Sequence, residues 1–209
     1  MGWIGVDKYP LTGFAHGNSG ICYALETFLD NCTWISEDVQ KKIKKIIYEG
    51  ATFELSKREK GKWYDLRTEI KKVENHYPYA WCHGAPGILL GLSYLEDVSF
   101  DIEEGLRDLY TNAFGRNHSL CHGDLGNAVI MKDIATHLKS KLWNEAADYF
   151  AFRVVNMYQM SEMKIGLGIE MLTPELMVGL AGMGYSLLYI YDNEKLPNIL
   201  RLEMKGFSK

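Results

Sequence analysis

No apolar run in the 209 residues approaches the ~18 needed to span a bilayer, so no transmembrane segment is expected. The opening "MGWIGVDKYP" lacks the charged and apolar regions of a signal peptide, and the chain is expected in the cytoplasm. Basic clusters are equally scarce. The net charge is -4 and the pI about 5.9, and the lysines of "QKKIKKII" alternate with apolar residues as on a solvated helix face. Nucleic acid is therefore not an expected partner. Strand signals are few as well. What remains is ordinary globular material, 47% apolar and 24% charged, long enough for one domain with a real core.

Apolar residues at spacings of three and four recur in "DVQKKIKKIIYEGATFEL", "EEGLRDLYTNAF", "LWNEAADYFAFRVVNMYQM" and "MGYSLLYIYD", which reads as a nearly all-helical chain. Four segments then share one pattern: "HGNSGICYAL" from His16, "HGAPGILLGL" from His83, "HGDLGNAVIM" from His122 and "VGLAGMGYSL" from Val178. Each sets two glycines three apart ahead of a run of small and apolar residues. Successive glycine pairs lie about 67, 39 and 56 residues apart, room for a further helix in each interval. The pattern predicts a tight turn, then an inner helix starting at or near the second glycine. Ala24, Gly91, Ala128 and Ser186 suit inner helices crowded against neighbours. Amphipathic outer helices are expected at Glu37–Glu54 and Glu103–Phe114. The fold class expected is all-α, an α/α toroid or the second half of one, with residues 1–209 as a single domain.

If the turns gather at one end of such a ring, Cys82, His83, Cys121, His122 and His16 approach one another. A catalytic zinc takes three protein ligands and keeps a fourth position open, and Cys82, Cys121 and His122 can supply such a set. Four cysteines in a reducing compartment are more simply buried, metal-binding or catalytic than disulfide-bonded. Cys22 and Cys32 read as small core residues, His76 and His118 as loop residues in polar context. Asn127 can hold its turn. A glycosidase needs two carboxylates at the turn mouth, and the turns offer only Asp124.

The segments "GFAHGNSG", "WCHGAPG", "LCHGDLGN" and "TPELMVGLAGMGYSLL" resemble, in order, the motifs of lanthionine synthetase C-like cyclases. The last of them and the ending "LPNILRLE" look most like the carboxyl-terminal cyclase region of a class II bifunctional lanthionine synthetase. The resemblance implies an α/α toroid around Zn2+ that adds cysteine thiols to dehydroalanine or dehydrobutyrine in a dehydrated precursor peptide. It implies Cys82, Cys121 and His122 as zinc ligands and His16 as the acid/base residue. His83 reads as a substrate contact or a turn residue, and Asp124 as a substrate contact or the cap of its helix. Its departures are specific. No arginine stands shortly before the tryptophan in "NHYPYAWC", and His83 occupies a position where another member type carries tyrosine. The acidic residue that partners the histidine in the family would belong to an earlier half of the toroid, supplied by a longer chain or another copy, and these residues alone could then be inactive. The alternative is a zinc-stabilised half toroid that holds a peptide without turnover.

Overall fold

The computed structural model describes residues 2–4, 9–67, 76–98, 100–160, 164–167 and 173–203. They form two compact units, Met1–Asp108 and Leu109–Lys209. In the first, inner helices α1 (Asn18–Asn31) and α3 (Ala85–Leu92) pack together, with outer helix α2 (Glu37–Ser56) against α1. A two-stranded hairpin, β1 (Arg58–Glu59) with β2 (Lys62–Trp63), follows α2. Its turn, Lys60-Gly61, has both φ angles positive (50° and 82°), the backbone that matches the twist of paired strands. The division falls within α4 (Ile102–Asn112). In the second unit α5 (Asp124–His137) is packed by outer helix α6 (Lys141–Gln159) and inner helix α7 (Leu180–Tyr191).

The expected alternation of inner and outer helices is present, and the inner helices differ in burial for a reason visible in their sequences. All eight residues of α3 and most of α5 are buried; α3 is apolar all round, as an enclosed helix is expected to be, while α5 also buries Asp124, Asn127 and Asp133, each hydrogen-bonded. Within the first unit, α1 buries only Asn18, Ser19, Cys22 and Glu26, so Ala24, expected in a crowded inner face, is exposed. Gly91 does serve close packing: a Cβ there would lie 2.7 Å from the Ser19 carbonyl oxygen. α4 ends at Asn112, two residues short of the expected boundary.

The four repeats prove to be one backbone device, with a correction to where the helix begins. The first glycine of each pair, Gly17, Gly84, Gly123 and Gly179, is the N-cap, and the second is the third helical residue. In every copy the first helical N–H donates to the carbonyl seven residues earlier: Asn18 to Leu11 (3.1 Å), Ala85 to Pro78 (3.2 Å), Asp124 to Asn117 (2.7 Å) and Leu180 to Thr173 (2.8 Å). The loop thus satisfies a donor that a helix start otherwise leaves unpaired. In every copy, too, the second glycine lies on a carbonyl six residues earlier, that of Phe14, Trp81, Leu120 or Leu176, where a Cβ would stand well under 3.0 Å from the oxygen. Close approach, more than unusual dihedral angles, therefore explains the spacing. Gly84 alone among the four N-caps has positive φ, 116°.

The "LPNILRLE" ending is pinned in the second unit. Arg201 pairs with Asp133 of α5 (Nε to Oδ2 3.0 Å), Tyr189 donates to the same carboxylate (2.8 Å), and Tyr185 donates to the Pro197 carbonyl (2.7 Å). Among the described residues no helix is long and apolar enough to cross a membrane.

Candidate functional site

In the first unit the repeat turns bring His16 and His83 together. Phe14 N–H donates to the Trp81 carbonyl (3.3 Å), joining the turn before α1 to the turn before α3. Gly13, at φ +121°, lets the loop settle on the Cys82–His83 backbone; a Cβ there would lie 2.5 Å from the Cys82 carbonyl oxygen. The imidazoles of His16 and His83 then stack, ring centroids 4.8 Å apart and planes 15° from parallel. His16 is exposed, and Cys82 and His83 are half-buried.

Two residues that no motif signals belong to the same unit, one of them within the field of His83. Asp65 is buried, and Arg67 donates to it four times, from its main-chain N–H (3.0 Å), from Nε to both carboxylate oxygens (2.9 and 3.1 Å) and from Nη2 to Oδ2 (2.5 Å). His76 Nδ1 lies 3.7 Å from Oδ2. Burial pushes the Asp65 carboxyl up, but the Arg67 hydrogen bonds and charge, with the field of His83, outweigh it and hold the group below the usual carboxylate range. The unit therefore sets one fixed anion, paired with one fixed cation, within the field of His83. Two residues apart in sequence, Asp65 and Arg67 follow β2, and only their acid-x-base spacing could have flagged them.

The second unit builds the other half of the expected ligand set. Cys121 N–H donates to the Met177 carbonyl (2.8 Å), joining the turn before α5 to the turn before α7. His122 Nε2 lies 2.9 Å from the Gly166 carbonyl oxygen. A carbonyl only accepts, so in the neutral ring Nε2 carries the proton and Nδ1 keeps its lone pair. Gly166 is itself fixed, donating to the Val178 carbonyl (3.0 Å). His118, expected as a polar loop residue, is buried and supports the same segment: its N–H donates to the Lys164 carbonyl (2.8 Å) and its Nδ1 accepts from Lys164 N–H (3.1 Å). Burial pushes its imidazole pKa down.

Asp124 opens α5, and its carboxylate accepts from the N–H groups of Gly115 (3.0 and 3.1 Å) and Arg116 (3.1 Å). It also lines a cavity of about 280 Å³ with Arg116, His118 and Lys164. Asn127 donates to the Ala113 carbonyl (2.8 Å), holding its turn as expected. Cys22 is a core residue, its thiol pushed up to about 12 by burial first and then by the charges of Glu54 and Glu26. Such a thiol is inert at neutral pH.

Cys82 thus belongs to the first unit, and Cys121 and His122 to the second. Among the described residues no three His, Cys, Asp or Glu side chains are grouped as a ready metal site. Within each unit the donor types are ones that zinc takes: the Cys82 sulfur in the first, and in the second the Cys121 sulfur and the His122 imidazole, whose other nitrogen is committed to a backbone carbonyl, the outer contact that fixes ring orientation in most metal-ligating histidines.

The chain belongs to the lanthionine synthetase C-like protein family, whose pattern matches residues 4–201. It is 30% identical over 200 residues to the lacticin 481/lactococcin biosynthesis protein LcnDR2 of Lactococcus lactis subsp. lactis, covering 87% of this chain and 20% of that protein. Among solved structures it resembles nisin cyclase with a TM-score of 0.64 at 19% identity, over 88% of this chain and 47% of that one. That likeness shows the all-α, α/α toroid fold class. The chain spans about a fifth of the curated relative and about half of the solved structure.

Proposed function

We propose that the chain is the cyclase part of a lanthionine synthetase, acting on a dehydrated, ribosomally made precursor peptide. A cysteine of that peptide loses its thiol proton and its sulfur bonds to Cβ of dehydroalanine or dehydrobutyrine. The alkene electrons move to the adjacent carbonyl as an enolate, and a proton returned to Cα completes a lanthionine or methyllanthionine thioether. Cys82, Cys121 and His122 would hold zinc, whose chemistry when bound is to favour the thiolate form of a coordinated thiol, mostly protonated at neutral pH with a free pKa of about 8.5. His16 serves as acid or base, since imidazole changes charge near the working pH. His83, stacked on it, and Asp124 contact the peptide. In this reading the 209 residues are one cyclase-like domain, the counterpart of about half of the family's toroid.

The observation that carries the reading is the match between repeat and chemistry. Cys82 and Cys121 occupy the same position, two residues before an N-cap glycine, and the histidine after the second already has its Nε2 proton committed to Gly166. Metal content tests it. The purified protein is expected to carry about one zinc ion per chain, and Cys121→Ala to lose it, because a three-ligand site rarely survives with two. Chelation should also lower the melting temperature, since metal binding contributes to folding where ligands come from separate elements. Elemental analysis finding no metal, or metal indifferent to Cys121→Ala, contradicts the site.

A further inference from the structure

Glu54, in the last turn of α2, is fully buried, yet no motif includes it and the chemistry above does not use it. Its Oε1 accepts two main-chain hydrogen bonds, from Ser19 (2.7 Å) and from Gly13 (3.3 Å). Those donors flank His16 symmetrically, three residues before it and three after. Helix α1 has a glycine N-cap and so no side-chain cap of its own; Glu54 supplies the missing acceptor from another helix. Ser19 closes the arrangement, donating through Oγ to the carbonyls of Gly13 (2.9 Å) and Gly87 (3.2 Å). The end of α2 is held in turn by Trp63, whose indole N–H donates to the Glu54 carbonyl (2.8 Å).

A carboxyl is a costly choice for this place. Burial raises the group to about 8 against the hydrogen bonds from Ser19, Gly13 and Asn18, so at neutral pH it is mainly an uncharged acid. Its Oε2 is buried with no hydrogen-bond partner among the described residues. An apolar side chain would fill the same volume without that desolvation cost, but would leave two N–H groups unpaired beneath the His16 turn. What the carboxyl provides is an acceptor reaching both ends of one loop.

We propose that Glu54 is the positioning residue for His16: by holding the N–H groups of Gly13 and Ser19 with one oxygen, it fixes the turn that sets the imidazole against His83. The inference rests on the reading of His16 as the acid/base group, but its first test does not. In the 209-residue protein, amide hydrogen exchange at Gly13 and Ser19 and the His16 ring resonances are compared in Glu54→Gln, Glu54→Asp and Glu54→Leu. Gln presents an amide oxygen at the same reach and should keep both amides within about twofold of the parent. Leu, and Asp, shorter by one methylene, should speed exchange at both by about tenfold or more while the middle of α2 stays protected, and should shift the His16 resonances. Should the Leu variant not fold, the Gln and Asp pair decides. Unchanged exchange in Asp, or Gln and Asp behaving alike, overturns the proposal.

The second readout is ring closure. Glu54→Asp should lower kcat by about tenfold or more with KM and zinc content unchanged, as expected when a catalytic group is displaced, and Glu54→Gln should restore it. A fall in zinc or a rise in KM alone would mark Glu54 as a general core residue and overturn the positioning role. If the exchange pattern appears as expected but the longest natural chain containing these residues never consumes thiol, the cyclase reading fails while the hold of Glu54 on the turn stands.

Discussion

Replacing His16 with asparagine is expected to slow thioether formation by ~10² to 10⁴, the usual contribution of a positioned acid or base, while leaving zinc content unchanged. The two effects separate because the residues do. His16 lies in the turn before α1 and stacks on His83, whereas the proposed ligands follow the Tyr79–Trp81 stretch and the Ser119–Leu120 stretch. Asparagine retains a polar side chain in an exposed place, so the turn, held by Asn18 N–H on Leu11 and by Glu54, should persist. What disappears is an imidazole, a side chain able both to donate and to accept a proton. The variant and parent are compared by thiol consumption on a dehydrated peptide, with metal measured on the same samples. Closure at the parent rate would reduce His16 to a helix-start residue. A parallel loss of zinc would mean that the turn, and not the proton, was disturbed.

The second large effect is on stability, and two glycines of opposite sign define it. Gly126→Ala is expected to destabilise the second unit by about 3 kcal/mol or more, because the new Cβ meets the Leu120 main chain, which cannot rotate away as a side chain can. α5 is buried nearly throughout, so relief would require its first turn to lift off the Leu120–Cys121 loop and carry the proposed zinc ligands with it. Gly184→Ala, inside α7 with no described residue within 4 Å of its Cβ position beyond its chain neighbours and its own helix backbone, should instead stabilise by up to about 1 kcal/mol, the helix-propensity difference between the two residues. Denaturant unfolding of the two variants checks both signs. Equal effects would mean that the second glycine of the repeat is not a close-contact residue.

That pair also shows where the sequence was legible and where it was not. The helices, their alternation and the four repeats follow from apolar spacing and glycine pairs, and α2 starts at Glu37 as its pattern predicts. Which glycine opens the helix was not legible, since both are plausible caps; the decision lies in a carbonyl six residues upstream that only the folded loop brings underneath. Cys82, Cys121, His122 and His16 announced themselves by residue type at repeated positions. Asp65, Arg67 and Glu54 in the first unit and Gly166 in the second did not, because they act from a post-hairpin segment, an outer helix and a loop, each through tertiary contacts without periodicity. Ala24 misled because a small residue is compatible with a crowded interface without requiring one.

The central claim, a metal-dependent thioether cyclase, is tested most directly by following free thiol on a dehydrated, cysteine-bearing peptide. The zinc-loaded protein is compared with the same preparation after chelation and with Cys121→Ala, in the longest natural chain that contains these 209 residues. The account predicts thiol consumption with no change in peptide mass, as ring closure by addition requires, abolished by either treatment and restored by zinc only in the parent. A zinc-loaded protein that binds the peptide and consumes no thiol, or consumption indifferent to the metal, would contradict it.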